Sequence, residues 1–156
     1  MNRRPDNVWF VNGIPFAVIE CKRRDLEDSI EQAISQQIRN QKTDEIPRLF
    51  IYTQLLMSLS VNGAKYATVG TPAKFWSFWR EREEINNNLF KIINTTLSVT
   101  EKDKRFSSRF KYVKNLIKSL EQEGNRLAIE QDQAIYSLCR PDRLLDLVYK
   151  FIVFDK

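Results

Sequence analysis

Three charged side chains near the N-terminus are the residues of this sequence best suited to chemistry. Asp6 precedes one apolar run, and Glu20 and Lys22 lie at the end of another. Two carboxylates that lie close together can bind Mg²⁺, which prefers oxygen ligands and keeps several of its waters. A lysine beside them can stabilise the negative charge that develops on a reacting phosphate. The residue types therefore indicate metal-assisted hydrolysis if the fold brings them together.

Two strands are expected to position these side chains. Segments 7–11 (NVWFV) and 14–21 (IPFAVIEC) have the composition of β-strands. The second segment is a nearly continuous apolar run, which is typical of a strand that is buried on both faces. Because Glu20 and Lys22 are two residues apart, they share one face of that strand, and Cys21 faces the other.

The turn between the strands decides which residues lie opposite each other, and Asn12-Gly13 is a strong hairpin signal. A two-residue turn pairs Asp6 with Ile19, whereas a three-residue turn pairs Asp6 with Glu20. Carboxylates directly opposite each other repel unless a cation neutralises them. Both registers are open at this point. So is a simpler interpretation, in which Asp6 caps a turn and Glu20 belongs to an exposed ion pair.

The remaining sequence predicts more sheet and then helices. Residues 26–40 form a helix with one apolar stripe, and three short strands follow at 49–53, 55–61 and 65–69. We expect an aromatic helix at 74–82, with Trp76, Phe78 and Trp79 packed in the core rather than stacked on bases. Further helices are predicted near 85–97, 101–122, 126–139 and 142–154. The expected fold is α/β, with a mixed β-sheet flanked by helices over residues 1–80 and a helical extension over residues 81–156.

Composition limits the possible functions. The chain of 156 residues has no histidine, which excludes Ser-His-Asp triads, Cys-His pairs and histidine-ligated zinc. Its two cysteines are far apart and form no zinc pattern. No run of about 18 apolar residues is present, so no membrane span is expected. The net charge of +5 suits a polyanionic partner, although it also suits simple solubility.

Four arginines flank the predicted site. Arg3 and Arg4 precede Asp6, and Arg23 and Arg24 follow Lys22. Basic side chains near phosphates give affinity that depends on salt and not on base sequence. These arginines are therefore candidate contacts to the phosphates of a polyanion, or else a solvated charge cluster.

Several stretches of the sequence resemble a known family. Pro5-Asp6 followed after thirteen residues by Glu20-Cys21-Lys22 resembles the PD-(D/E)xK nuclease signature. The surrounding stretches RPDNVWFVNGIPFAVIECKR and IPRLFIYTQLLMSLSVNGAKYATVGTP resemble the nuclease region of the restriction (R) subunit of type I restriction-modification enzymes. The segment RPDRLLDLVYKFIVFDK resembles the part of that subunit that leads into its first motor domain.

The resemblance implies a fold, an activity and a role for each matching residue. It implies a restriction-endonuclease-like fold and a DNA endonuclease with Mg²⁺ bound by Asp6 and Glu20 and with Lys22 as the catalytic lysine. Gln36 matches the glutamine of the family's QxxxY element, but Asn40 stands at the tyrosine position. The implied partners are double-stranded DNA and the modification and specificity subunits of the same system, in the cytoplasm of a bacterium or archaeon.

The sequence also departs from the whole R subunit that it resembles. It has no GxxxxGK[ST] loop, so ATP-driven translocation would need motor domains outside this chain. Only five residues precede Asp6, which leads us to expect an excised or truncated piece of such a subunit. Two alternatives remain: another PD-(D/E)xK nuclease, such as a repair enzyme, and a non-catalytic module that binds DNA or docks onto other subunits.

Overall fold

A mixed four-stranded β-sheet organises the N-terminal part of the chain. The computed structural model describes residues 3–23, 25–79, 85–106 and 111–150. The strands lie in the order β1-β2-β3-β4; β1 and β4 run antiparallel to their neighbours, and β2 and β3 are parallel to each other. Their bounds are Asn7–Val11, Ile14–Cys21, Leu55–Ser60 and Gly63–Ala67.

Six α-helices lie among the described residues. Helix α1 connects the two parallel strands, as a parallel pair requires a crossover. The helices α1 to α6 span Ser29–Asn40, Ile85–Ile93, Val99–Arg105, Lys111–Gln122, Glu130–Cys139 and Pro141–Lys150, and short 3-10 helices span Pro47–Phe50 and Ala73–Phe75. No helix in the described part of the chain is long and apolar enough to cross a membrane.

The chain divides into two units, one formed by residues 1–81 with 129–156 and the other by residues 82–128. Helices α5 and α6 therefore belong to the unit that contains the sheet. The α/β class with a mixed sheet and flanking helices is confirmed, whereas its restriction-endonuclease-like type stays a prediction. The predicted boundary at residue 80 between a nuclease core and a helical extension also stays a prediction.

The hairpin combines a tight turn with an extra residue. Asn12 and Gly13 have positive φ angles of 50° and 81°, as a two-residue type I′ turn requires. Val11 then pairs with Ile14, but the register shifts further along the ladder, after the pair of Phe10 with Pro15. Beyond the shift, residues 9, 8 and 7 pair with residues 17, 18 and 19, so residue 16 is an unpaired β-bulge.

Helices cover both faces of the sheet. On one face, α1 packs over a cluster of buried side chains: Val18, Ile30, Ile34, Phe50, Leu56, Ala67 and Trp76. On the other face, α5 and α6 complete a second cluster: Ala17, Ile19, Leu55, Met57, Leu59, Ala64, Ala134, Leu138, Cys139 and Leu144. Beyond the bulge, Val18 of β2 therefore faces α1, whereas Ala17 and Ile19 face α5 and α6.

The predicted strand at 49–53 is wrong. The chain forms a 3-10 helix there, at Pro47–Phe50, because proline suits the first turn of a helix and donates no ladder hydrogen bond. The Thr53 hydroxyl continues this turn by donating to the Leu49 carbonyl at 2.9 Å. Helix α1 also begins three residues later than predicted, after Asp28, which has a left-handed φ of 50°.

The predicted aromatic helix at 74–82 is wrong over its described residues. After the 3-10 helix, Ser77 pairs with Tyr66 of β4 in an antiparallel bridge. Trp76 is buried and Trp79 packs against the core, as predicted, but Phe78 is exposed. Residues 80–82 lie outside the described part of the chain.

The unit of residues 82–128 contains α2, α3 and α4. Ser98 and Glu101 form a capping box at the start of α3. Two ion pairs join α3 to α4: Lys102 to Glu121 at 2.7 Å and Lys114 to Asp103 at 2.6 Å. The predicted helix at 101–122 is therefore two helices, and residues 107–110 of it lie outside the described part. The predicted helix at 142–154 begins at Pro141, and residues 151–154 are likewise outside.

The packing of α5 on the sheet can be tested with two leucines. Leu138 is 1% exposed, whereas Leu145 on α6 is 52% exposed. We expect Leu138→Ala to lower the free energy of unfolding by about 2–5 kcal/mol through lost burial and cavity formation. Leu145→Ala, the matched control, should change it by less than about 0.5 kcal/mol. Urea denaturation measures both, and equal losses would contradict the observed packing.

Candidate functional site

The β-bulge brings the two predicted carboxylates to the same level of the sheet. Because Asn7 pairs with Ile19, the register continues to place Asp6 opposite Glu20. Strand β1 begins at Asn7, so Asp6 lies just outside the ladder. Its side chain nevertheless contacts β2, because the Cys21 amide donates to Asp6 Oδ2 at 2.8 Å. The turn therefore has two residues, yet the register is the one that a three-residue turn would give.

Glu20 is a buried carboxylate, and only one of its two oxygens accepts a hydrogen bond within the described structure. The residue is 1% exposed, and its Oε1 accepts from Lys22 Nζ at 3.2 Å. Its Oε2 is buried and has no hydrogen-bond partner among the described residues. Burial raises the pKa of the Glu20 carboxyl, and the neighbouring Asp6 carboxylate raises it further, while Lys22 opposes both. Burial of a charged carboxylate costs free energy, so a position that served core packing alone would favour an apolar side chain.

Lys22 links the hairpin to helix α1. Its Nζ donates to Gln36 Oε1 at 2.6 Å as well as to Glu20 Oε1. The side chain is 18% exposed, so it is largely enclosed but still reaches solvent. An ammonium group has three N–H donors, and two of them are used here. The structure therefore brings together all four predicted catalytic residues: Asp6, Glu20, Lys22 and Gln36.

Sequence reasoning missed Gln37, which fixes α1 on the sheet. The residue is fully buried, and its Nε2 donates to the Val18 carbonyl at 3.0 Å and to the Met57 carbonyl at 3.2 Å. One amide thereby holds α1 against β2 and β3 at once. A signal was present in the sequence, because Gln37 lies four residues after Ala33, in the middle of the apolar stripe.

Asn40, at the family's tyrosine position, is also buried. It is 1% exposed, and its Oδ1 has no hydrogen-bond partner among the described residues. Its backbone carbonyl accepts from the Ile46 amide at 3.2 Å, which closes the loop after α1. An amide at this position offers no hydroxyl, so any contribution of a tyrosine hydroxyl is lost.

The four arginines predicted to bind DNA have different surroundings. Arg3 donates from Nε and Nη2 to both carboxylate oxygens of Glu45, the second bond at 2.7 Å. Arg23 is 77% exposed in its side chain and lies 3.4 Å from Asp25. Arg4 is exposed, and Arg24 lies outside the described residues. Arg3 is therefore occupied by an internal ion pair that sequence reasoning did not foresee.

The residues present fit a site for a hard cation with few protein ligands. The buried Glu20 Oε2 needs a partner, and Ser58, which lies beside Glu20 on β3, is buried with its own Oγ unpartnered in the described structure. Among the described residues no three Asp, Glu, Cys or His side chains converge. Within the described part of the chain, a cation at this site would therefore have at most two carboxylate ligands, Asp6 and Glu20. Mg²⁺ commonly takes one or two carboxylates from a protein.

A groove at the other end of the hairpin is not part of this site. It has a volume of about 340 Å³ and lies beside the turn. Its walls are mostly apolar: Val11, Asn12, Ile14, Phe16, Tyr52, Gln54 and Val148. It lacks the charged groups that phosphate or metal chemistry needs.

Comparison with known proteins gives consistent results. Two curated relatives come from Methanocaldococcus jannaschii, and each is named as a candidate type I restriction enzyme endonuclease subunit. The first, MjaIXP, is 27% identical over 154 residues, which is 99% of this chain and 13% of the relative. The second, MjaVIIIP, is 27% identical over 153 residues, which is 97% of this chain and 11% of the relative. This chain thus spans little more than a tenth of either relative.

No solved structure matches the chain. The family described as the type I restriction enzyme R protein N terminus matches residues 1–75, which contain the whole sheet, α1 and the four clustered side chains. Residues 1–75 of this chain are therefore similar to the type I restriction enzyme R protein N terminus.

Proposed function

We propose that this chain carries the metal-dependent endonuclease site of a type I restriction enzyme R subunit and hydrolyses phosphodiesters of double-stranded DNA. The observation that supports this most is the shared ammonium of Lys22, which contacts both Glu20 and Gln36. Asp6 lies at the same level of the sheet. Residues picked for their chemistry and for their match to a nuclease signature thus form one cluster.

Asp6 and Glu20 are the residues that would hold Mg²⁺. Glu20 offers a buried oxygen with no protein partner, and Asp6 is exposed at the open side of the cluster. A bound Mg²⁺ supplies neutralisation of the phosphodiester charge and activation of a water as nucleophile. In the overall reaction water adds to phosphorus, one P–O ester bond breaks, and the leaving oxygen takes up a proton.

Lys22 is poised to act on the phosphate. Its ammonium donates one hydrogen bond to Glu20 and one to Gln36, which leaves a third N–H donor for a phosphate oxygen. A positive charge fixed beside the reacting phosphorus stabilises the charge that develops in the transition state. Gln36 touches no other member of the cluster through a hydrogen bond in the described structure, so its role is to orient Lys22.

DNA would be held by electrostatic contacts that do not read bases. Arg4 and Arg23 are exposed and lie close in sequence to Asp6 and Lys22, whereas Arg3 is engaged with Glu45. Exposed arginines suit phosphate oxygens and give binding that weakens with salt. In this proposal the modification and specificity subunits select the DNA site, and motor domains outside this chain use ATP.

Metal-dependent nicking is the direct test of the proposal. Incubation of supercoiled plasmid with the chain and Mg²⁺ or Mn²⁺ should produce nicked circles, and EDTA should prevent this. We expect Lys22→Ala to lower the rate by about 100-fold or more, the usual scale for losing a transition-state charge contact. Lys65→Ala is the matched control, since Lys65 pairs with Glu31 at 3.1 Å and not with the cluster.

Two outcomes of this assay would separate the alternatives. Cleavage that is unchanged by Lys22→Ala would contradict the proposed role of the lysine. Salt-dependent DNA binding without any cleavage, even at high Mn²⁺, would favour a non-catalytic DNA-binding or docking module. Cleavage by the isolated chain of structured repair intermediates in preference to plasmid would favour another PD-(D/E)xK enzyme.

Gln36→Leu should separate orientation of the lysine from DNA binding. The change removes the acceptor at 2.6 Å from Lys22 Nζ but keeps a side chain of similar size. We expect kcat to fall by about 10-fold or more with little change in KM, because the lost contact matters in the transition state. Gln32→Leu on the same helix serves as the control, since the Gln32 side chain donates to the Glu27 carbonyl rather than to the cluster. A rise in KM at constant kcat would instead place Gln36 in substrate binding.

Metal binding can be measured without turnover. Since Glu20 is a buried carboxylate with an unpartnered oxygen, Mn²⁺ should stabilise the wild-type chain, by about 2.7 kcal/mol at 100 times Kd. Glu20→Gln should abolish this shift, because the neutral amide that replaces the carboxylate is a much weaker ligand for a divalent cation. Thermal unfolding in EDTA and in Mn²⁺ measures both effects. An equal Mn²⁺ shift in wild type and variant would show that Glu20 is not a ligand.

A further inference from the structure

The ion pair between Arg3 and Glu45 connects two segments that are far apart in sequence. The guanidinium of Arg3 makes a bidentate contact with the Glu45 carboxylate, whose side chain is only 8% exposed. Arg39 lies 3.9 Å from the same carboxylate. Bidentate arginine–carboxylate pairs fix geometry as well as supplying energy. A pair this enclosed therefore holds its two segments in a defined relation.

Each residue of the ion pair is close in sequence to an element that carries a residue of the candidate site. Arg3 stands three residues before Asp6, and Pro5 between them restricts the backbone, so the connection is short and stiff. Glu45 stands in the loop that follows α1, which is closed by the bond from the Ile46 amide to the Asn40 carbonyl. The ion pair thus ties the segment of Asp6 to the helix that presents Gln36 to Lys22.

Asp6 needs such support because β1 does not extend to it. Within the described part of the chain, its side chain is held to the sheet by the Cys21 amide, which donates to Asp6 Oδ2 at 2.8 Å, and the residue itself is exposed. We propose that Glu45, acting through Arg3, is a positioning residue that holds Asp6 opposite Glu20. The inference builds on the proposed function, and it replaces the expectation that Arg3 contacts DNA.

Hydrogen exchange at the Cys21 amide tests the proposal without metal or DNA. That amide is protected by Asp6, so its exchange rate measured by NMR reports whether Asp6 stays in place. Glu45→Gln and Arg3→Gln should each accelerate exchange at Cys21 by about tenfold or more, and the double variant should go no further. Asp6→Ala is the positive control.

Matched variants distinguish positioning from general destabilisation. Glu31→Gln removes a different carboxylate, one that lies on α1 and pairs with Lys65 of β4. This change should leave the exchange rate of the Cys21 amide unchanged. Glu45→Asp keeps the charge and should restore most of the protection. The Met57 amide in the central strand β3 should keep its protection in every variant, which verifies that the sheet is intact.

The outcomes are distinct from those of the functional tests. If Cys21 exchange is unchanged in both Glu45→Gln and Arg3→Gln, the positioning role is wrong whatever the enzyme does. If Arg3→Gln weakens binding to a DNA duplex while Glu45→Gln strengthens it, and Cys21 exchange stays constant, Arg3 is a DNA contact and the proposal fails. If exchange accelerates as expected but the wild type binds no Mn²⁺, the ion pair positions Asp6 and the metal-dependent function is what fails.

Discussion

The extra residue at Phe16 is the constraint on which the candidate site depends. The Asn12-Gly13 turn alone would set Asp6 opposite Ile19, an apolar residue that faces α5 and α6. A change of register by one residue moves side chains to the opposite face of a sheet. The bulge makes that change within β2, so that Asp6 meets Glu20 on the face covered by α1. The bond from the Cys21 amide to Asp6 accompanies this bulged register.

The interface between α1 and the sheet contains both apolar and polar side chains. Val18, Ile34 and Leu56 contribute buried apolar side chains, whereas Glu20 and Gln37 contribute buried polar ones. Buried polar groups cost free energy unless they are paired, and here several oxygens have no partner in the described structure. A chain selected only for stability would fill this region with aliphatic side chains. Glu20 in this interface is therefore consistent with the proposed chemistry, whereas Gln37 holds α1 on the sheet through the Val18 and Met57 carbonyls.

Much of the hairpin could be predicted from the sequence because its signals are local. The bounds of β1 and β2 match the predicted segments 7–11 and 14–21, and the shared face of Glu20 and Lys22 follows from the alternation of a strand. The bulge could not be predicted, because Phe16 is one apolar residue within an apolar run. Both registers consequently remained open until the structure was known.

Other features depended on tertiary contacts that one sequence does not reveal. Arg3 and Arg4 are identical in type, yet only Arg3 lies next to the Glu45 carboxylate. The apolar run at 49–53 fits the pattern of a strand as well as that of a buried turn. The 3-10 helix forms because Pro47 occupies its first position. Short runs of this kind cannot be assigned by periodicity alone, since buried turns and buried strands share their composition.

The covering of the sheet by α5 and α6 has a consequence for how the protein is made. Met57 Sδ in β3 and Cys139 Sγ in α5 lie 3.2 Å apart although 82 residues separate them along the chain. During synthesis the sheet and α1 leave the ribosome first, so one face of the sheet can be covered early. The opposite face stays exposed to solvent while residues 82–128 are translated. Exposed apolar surface of this kind invites aggregation and chaperone binding, and the ribosome's progress to the end of α6 sets how long that exposure lasts.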